Sequence, residues 1–569
     1  MTDDLEYQLE FVMANAWRLL GIQDRNPLSP THGCFHYAYW RDKTSEFADA
    51  RMQEAGAALG LLSLPCFDRW RADAEGGAEI GAVSGVGLAS TEVLYEAFRA
   101  GLLNLSRQQY ADGCYDEWYK GERGFAATEF TTIAYGLAAH FLKDRLRPAE
   151  RELLTRTLRR AGEWLARRHD RVKANHEAAA AAALALVWEV TGESRFREAA
   201  ARAMADTLSR QTGEAWFPEV GGMDLGYCSV LLDYTMLYVH VTGDQGPVAA
   251  MRRLLAFMWP NIHPDATVAA EAGLCLNPYV SRLGVGLLSP WDDGAAALIG
   301  HLRRVSPGRA GVSPYLADDL RLSRWSYLPV VTILFREVFR FADAALPDFV
   351  HSYPRGWSRF PKASVMAWHD GERHLYFAPC GGGVVRAYVG SRCLYEDLGF
   401  SLISPEGAWG SLGYDPEREV EELPGGYGMR GSLGRAAFFF PGFWSRLVLR
   451  IGCTVPLFSY WLRAGIDFYR QRRRTAVNQS AAPVAGRGGR WSLRRQVVVD
   501  PEGFSVHDVI EDAESRLESR HLLAPVMVEG RRRESLEGDF SGVRRLSVVK
   551  ELAWSGSGES LRVTVTRDP

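Results

Sequence analysis

The chain lacks the marks of several protein classes. Its eight cysteines are dispersed and form no CxxC pair, which argues against a zinc knuckle or a disulfide scaffold. There is no basic surplus: 66 Lys and Arg stand against 69 Asp and Glu, a net charge of −3. Without cations to displace a counterion atmosphere, nucleic acid is not an expected partner. No run of about 18 uncharged apolar residues occurs, so no spanning helix is expected. The opening MTDDLEYQLE is acidic where a secretory signal is basic and then apolar, and a reduced, cytoplasmic location is expected. GxSxG, HExxH and phosphate-loop patterns are absent, which sets aside serine hydrolase, zincin and NTPase chemistry.

What is present is a two-part pattern. Up to about residue 345, apolar residues recur at helical spacing between Gly, Pro and Asn punctuation. Glu46 to Leu62, Thr91 to Leu105, Ala127 to Leu142, Ala149 to Arg167, His176 to Val190, Arg195 to Ser209, Ser229 to Val241 and Tyr327 to Ala344 all read as helices. They pair as hairpins without a shared repeat signature, which disfavours a solenoid and leaves a bundle or a closed ring of hairpins. After about residue 350 the segments become short and β-rich, for example His374 to Ala378, Val384 to Val389, Trp491 to Val499 and Phe504 to Ile510. The expected organisation is therefore a helical domain over 1–345 and an antiparallel sheet domain over 346–569. An insertion at about 412–483 is Gly-rich, then apolar, then basic. A cleft between the two blocks is the default place for a ligand.

Four constellations could carry chemistry. Asn175-His176 opens the Ala-rich helix NHEAAAAAALALVWEV. Asn is a good helix cap, whereas His is a weak choice for a first turn unless the dipole keeps it neutral and able to accept a proton. Cap and site both remain open on these residues alone. Trp216 to Tyr227 is a loop with three glycines, the carboxylates Glu219 and Asp224, and a terminal Tyr that either transfers a proton or simply packs. Asp116, Glu117, Trp118 and Tyr119 set aromatic faces beside carboxylates, as a sugar-binding rim does; a solvated loop is the plain alternative. Arg282, in a polar loop further on, suits a substrate carboxylate.

A helical block with Asn-His opening one helix, a Gly-rich loop ending in Tyr, and then a sheet block resembles the heparinase II/III-like and alginate-lyase-like polysaccharide lyases. The resemblance is specific at Asn175-His176 and at Gly221-Gly222-Met223-Asp224-Leu225-Gly226-Tyr227. Pro30 to Phe35 and Tyr115 to Tyr119 resemble the branch of this superfamily that accompanies bacterial exopolysaccharide gene clusters. The resemblance implies an incomplete (α/α) toroid followed by an antiparallel β-sandwich, and β-elimination on a uronic-acid-containing polysaccharide. It implies that Asn175 binds the uronate carboxylate, His176 or Tyr227 removes the C5 proton, and Tyr227 protonates the leaving oxygen. Asp116, Glu117, Trp118, Tyr119, Trp216, Glu219, Asp224 and Arg282 would bind substrate. Family members commonly carry a Gly-His-x-His-x-Asp motif in the sheet domain; Gly381 to Phe400 holds no His. No cofactor is therefore expected, and a sheet-domain divalent metal is disfavoured.

Two other readings stay open: a glycoside hydrolase using a carboxylate pair among Asp116, Glu117, Glu219 and Asp224, and a non-catalytic glycan-binding or assembly factor. Phe438 to Arg474 is aromatic, apolar and then Arg-rich. It reads either as a buried helical insertion or as a peripheral membrane contact.

Overall fold

The computed structural model describes residue 9 and residues 12–68, 90–219, 222–273, 277–304, 318–341, 352–404, 407–411, 418–436, 442–452, 491–512, 545–554 and 561–568. It also describes the short pieces 415, 455, 458, 461–462, 465, 483–484, 521–523, 525–528 and 531–534. Gly221, Cys275 and most of 437–482 lie outside the described residues.

Helices fill the first part of the chain: α1 (Ala16–Ile22), α2 (Glu54–Leu62), α3 (Thr91–Gln108), α4 (Phe125–Leu142), α5 (Pro148–Leu165), α6 (Ala174–Thr191) and α7 (Ser194–Ser209). They continue as α8 (Leu225–Thr242), α9 (Val248–Met258), α10 (Leu283–Leu288), α11 (Asp293–Arg304), α12 (Asp319–Trp325) and α13 (Tyr327–Leu334). Composition sorts them into two layers. α4, α6 and α8 carry almost no charge and are buried on nearly every side, as a helix apolar all round must be. The run of alanines in α6 is what lets its neighbours approach. α3, α5, α7 and α9 carry charge on one face and bury the other. Contacts run from α2 to α4, α6, α8, α10 and α13, and α13 returns to α2, while α3, α5, α7, α9 and α11 pack outside this path. The helix expected from Glu46 begins only at Glu54, because Arg51–Gln53 is a 3₁₀ turn and the chain before it is irregular.

The second part is antiparallel sheet. The strands are β1 (Gly356–Phe360), β2 (Val365–Asp370), β3 (Arg373–Ala378), β4 (Val384–Val389), β5 (Arg392–Asp397), β6 (Ser401–Ser404), β7 (Gly407–Gly410), β8 (Glu419–Leu423) and β9 (Gly426–Ser432). The rest are β10 (Gly434–Ala436), β11 (Pro483–Val484), β12 (Trp491–Val499), β13 (Gly503–Asp512), β14 (His521–Leu523), β15 (Pro525–Val528), β16 (Arg531–Glu534), β17 (Arg545–Ala553) and β18 (Arg562–Asp568). A seven-stranded sheet runs β1-β2-β3-β4-β5-β15-β16, a six-stranded one β18-β17-β13-β12-β9-β8, and a five-stranded one β11-β10-β7-β6-β14. Leu375, Val385 and Leu394 of the first share one apolar cluster with Met429, Val497 and Val506 of the second. The Gly-rich front of the expected insertion is sheet: β9 pairs with β12 from Ser432↔Ser492 to Gly426↔Val498. Its glycines suit a strand lying close under its neighbour, since a Cβ on Gly426 would come within 1.9 Å of Val497 O.

Deep in this sheet region Asp397, Asp508, Arg495 and Lys550 are fully buried. Arg495 grips Asp508 through Nε–Oδ1 at 2.6 Å and Nη2–Oδ2 at 3.0 Å. Lys550 Nζ lies 2.6 Å from Asp397 Oδ2 and 3.1 Å from Asp508 Oδ2. Gly399 N–H and Tyr395 O–H donate to Asp397. Burial raises the Asp397 carboxyl, but Arg495 and Lys550 outweigh it and hold the group down to about 2.

The two parts meet along β1–β4. Arg386 makes paired 2.8 Å bonds to Glu271, Glu214 accepts from the N–H groups of Lys362 and Ala363 at 2.9 Å each, and His369 Nε2 donates to Pro260 O at 2.9 Å. His263 is at this junction too, against Tyr376 and Tyr388.

Candidate active site

α6 starts with Lys173 before its first turn, and that residue offers no capping side chain. Nor does the Asn175 amide. The cap comes from elsewhere in the chain: Asn175 N–H donates to Glu219 Oε1 at 2.8 Å, and Ala174 N–H to Pro218 O at 3.2 Å. Glu219 lies in the loop before α8, whose own cap is Asp224, accepting from Tyr227 N–H at 2.9 Å. One loop thus finishes both helix starts. Asn175, His176 and Tyr227 are thereby set in the first turns of two helices that pack together. Two close approaches fix this loop. A Cβ on Gly226 would sit 2.3 Å from Asn277 O, and one on Gly273 would sit 2.3 Å from Asp224 Oδ2, so both positions need glycine.

His176 is buried edge-on to Phe130, with ring centroids 5.5 Å apart. Its Nδ1 lies 3.1 Å from Glu129 Oε1, close but without hydrogen-bond alignment, and 3.4 Å from Asp170 Oδ2. Its Nε2 lies 3.4 Å from Lys173 Nζ. An ammonium only donates, so the surroundings assign Nε2 as the accepting nitrogen of a neutral ring and put the proton on Nδ1, toward the carboxyls. Asn175 is fully buried, and neither its Oδ1 nor its Nδ2 has a hydrogen-bond partner among the described residues. Burial pushes Glu129 well above the usual carboxylate range, with Asp170 adding to it. Burial does the same to Glu219 against the opposing Asn175 N–H and Lys173. Glu54 is pushed up to about 8, burial outweighing its ion pair with Arg51. Burial thus works against the charged form of all three carboxyls.

Phe130 joins this group to a cationic chain. Arg51 lies over the Phe130 ring at 4.2 Å and over Trp325 at 4.6 Å. Arg324 bonds Glu117 at 2.8 Å and Asp49 at 2.6 Å, and its guanidinium lies 5.3 Å from the Trp118 ring. Trp118 is 58% exposed, so contact is continuous from a surface indole to the imidazole.

The residues singled out from sequence are distributed as follows. Glu117 and Trp118 belong to this chain, and Tyr119 is half-buried beside them. Asp116 is turned inward, accepting from Tyr110 O–H, Gly121 N–H and Arg123 N–H at 2.6, 2.7 and 2.8 Å, and shapes the loop. Glu219 and Asp224 are buried as helix caps. Trp216 is buried with its Nε1 donating to Glu214. Arg282 lines a pocket of about 70 Å³ with Tyr234, Tyr279 and Trp325, room for about two waters, and Tyr234 and Trp325 pack on Phe130. Tyr227 is half-buried. Sequence reasoning missed Arg51, Lys173 and Arg324. The available signal was Arg51 as the sole cation in the Glu46 to Leu62 segment, and Arg324 set beside Trp325. Among the described residues no group of three or more His, Cys, Asp or Glu is arranged to hold a metal ion. The sheet histidines His369 and His374 face each other, Nδ1 to Nδ1 at 3.0 Å.

No family model matches the chain, and no curated protein matches it. Among solved structures it is similar to chondroitin AC lyase of Streptomyces coelicolor A3, solved with chondroitin sulphate, at 11% identity and TM-score 0.49, over 98% of this chain and 80% of that one. It is similar to heparinase III at 8% identity and TM-score 0.44, over 88% and 82%. It is also similar to a GH127 β-arabinofuranosidase at 10% identity and TM-score 0.30, over 98% and 88%. Identities this low leave the chemistry to be argued from side chains.

Proposed function

We propose that the chain is a polysaccharide-lyase-like enzyme that cleaves a uronic-acid-containing polysaccharide by β-elimination, in the setting of bacterial exopolysaccharide metabolism. In this reading the helical part, to about residue 345, is an incomplete (α/α) toroid, and the remainder is a β-sandwich joined to it. The observation that supports the reading best is the Asn175 amide. It is fully buried with its hydrogen-bonding capacity unused, next to an imidazole whose Nε2 is the accepting nitrogen. An unsatisfied buried amide costs about 1–3 kcal/mol, and a catalytic role is one of the reasons for which native structures keep such a group.

The steps follow from the groups present. Asn175 Nδ2 donates to the uronate carboxylate, and the positive end of α6 adds to it, so the C5–H bond becomes more acidic. His176 Nε2, giving up its 3.4 Å contact with Lys173 Nζ, takes the C5 proton. The electron pair becomes the C4–C5 double bond, and the C4–O bond breaks. Tyr227 O–H protonates the leaving oxygen. The positioned donor supplies the larger share, because charge develops on the carboxylate as the proton leaves. The hydrolase alternative needs two working carboxylates. Asp116, Glu117, Glu219 and Asp224 are all buried and already engaged in loop, ion-pair or cap bonds, which favours elimination.

The test is the ultraviolet absorbance of an unsaturated uronide on a panel of uronic acid polymers. Absorbance should rise with the wild-type chain and fall by roughly 10²–10⁴ in His176→Ala and Tyr227→Phe. New reducing ends without absorbance, or no change on any polymer, would overturn the reading.

A further inference from the structure

A helix in the sheet region reverses the usual rule for surface helices. α14 (Phe443–Gly452) reads FWSRLVLRIG. At about 100° per residue, Phe443, Leu447, Ile451, Trp444 and Val448 form one apolar arc about 140° wide. That arc should be buried. Instead Phe443 is 70% exposed, Trp444 73%, Val448 58% and Ile451 58%. The apolar surface continues past the helix, with Val455 52% and Trp461 68% exposed. Arg446 and Arg450, one turn apart, flank the Phe443 edge of the arc, and both are exposed. An apolar patch of this kind with a cationic border marks a docking surface.

We infer that α14 is an interfacial anchor that lies flat in the surface of a lipid bilayer carrying anionic headgroups. Three observations select this occupant. The Phe and Trp rings are the side chains that settle at a membrane–water interface, one end dry and the other wet. Arg446 on the edge matches anionic headgroups, beside Arg450, which Glu46 partly neutralises. Val448, Ile451 and Val455 are aliphatic and have no way to hydrogen-bond a sugar, which separates this surface from a glycan platform. The helix spans about 15 Å at 1.5 Å per residue, half the hydrocarbon core, so it lies on the membrane rather than crossing it. Among the described residues no helix is long and apolar enough to cross.

The anchor also has a direction. Arg450 Nε is 3.2 Å from Glu46, three residues from the Asp49 that bonds Arg324. Lipid contact therefore holds the loop of the polar cluster at the membrane surface. The anchor does not depend on the chemistry proposed above, since its readout is binding alone.

The experiment is sedimentation of the full chain with vesicles of phosphatidylcholine alone and of phosphatidylcholine with phosphatidylglycerol, at low and high salt. Binding should appear with the anionic vesicles, weaken with salt, and drop at least tenfold in Trp444→Glu combined with Ile451→Glu. Arg446→Gln should weaken it about fivefold. All these side chains are exposed, so the variants should melt like the wild type. Three results would overturn the inference. One is no vesicle binding at any composition. Another is a concentration-dependent dimer abolished by Trp444→Glu, which would assign the patch to a second copy. The last is Trp444-dependent retention on an acidic glycan without vesicle binding, which would assign it to sugar.

Discussion

In the sheet, Asp397, Asp508, Arg495 and Lys550 sit beyond reach of water, and each carboxylate oxygen meets a cation or a donor. At the start of α6, Glu129, Asn175 and Glu219 are as deeply buried, yet the Asn175 amide, the Glu129 oxygens and Glu219 Oε2 have no aligned hydrogen-bond partner among the described residues. Both regions carry the desolvation cost of buried polar groups. The sheet cluster offsets it internally, so its balance is complete with nothing bound. The helical cluster does not offset it among the described residues. Satisfaction, rather than burial or charge, is what separates the two polar clusters.

The sharpest way to break the sheet cluster is to remove one member. Asp397→Ala or Arg495→Ala leaves an unpaired buried charge and should destabilise the chain by about 3–5 kcal/mol in denaturant unfolding. A loss under about 1 kcal/mol would mean water reaches the cluster. On the other side, Asn175→Ala should cut elimination by about 10²–10³ while leaving unfolding unchanged or shifted to higher stability, because it removes an amide that the fold does not satisfy. If the chain is destabilised as strongly as by Asp397→Ala, the amide is structural.

The two regions should also respond to pH with opposite sign. Glu54, raised from 4.5 to about 8, binds its proton more tightly folded than unfolded, so stability should fall as pH rises through that window. Asp397, lowered from 3.8 to about 2, binds its proton less tightly folded, so stability should fall as pH drops through that lower window. Melting temperatures from pH 2 to pH 9 check both, and Glu54→Gln should flatten only the upper slope. The smallest effect is expected at Glu219. Glu219→Gln keeps the acceptor that caps α6 and should be near neutral, whereas Glu219→Ala should cost about 0.5–2 kcal/mol.

Much of the layout is legible in the sequence. The helices themselves are legible from apolar residues at helical spacing, because periodicity is a local property; their sorting into an inner and an outer layer appears only in the packing. Asn175-His176 stood out as a helix start for the same reason. Glu219 and Asp224 were read as substrate-binding carboxylates, and the structure makes both helix caps. A carboxylate in a Gly-rich loop looks the same in sequence whether it meets a ligand or the N–H of a helix far earlier in the chain. Arg51 and Arg324 were missed because their meeting around Glu117 and Trp325 is purely tertiary. The Gly-rich front of the expected insertion shows no strand period because glycines mask it, and only the pairing of β9 with β12 reveals the sheet there.

The clasp of Arg386 on Glu271, with Glu214 receiving the N–H groups of Lys362 and Ala363, has a consequence in time. A ribosome adding about 5–20 residues per second finishes the Glu271 loop roughly 6–23 s before Arg386 is made. During that interval the loop that will hold Glu271 is without its partner, and the helical half is emerging with one face still open. A nascent chain stalled in this interval should therefore be the form that chaperones and proteases meet most often.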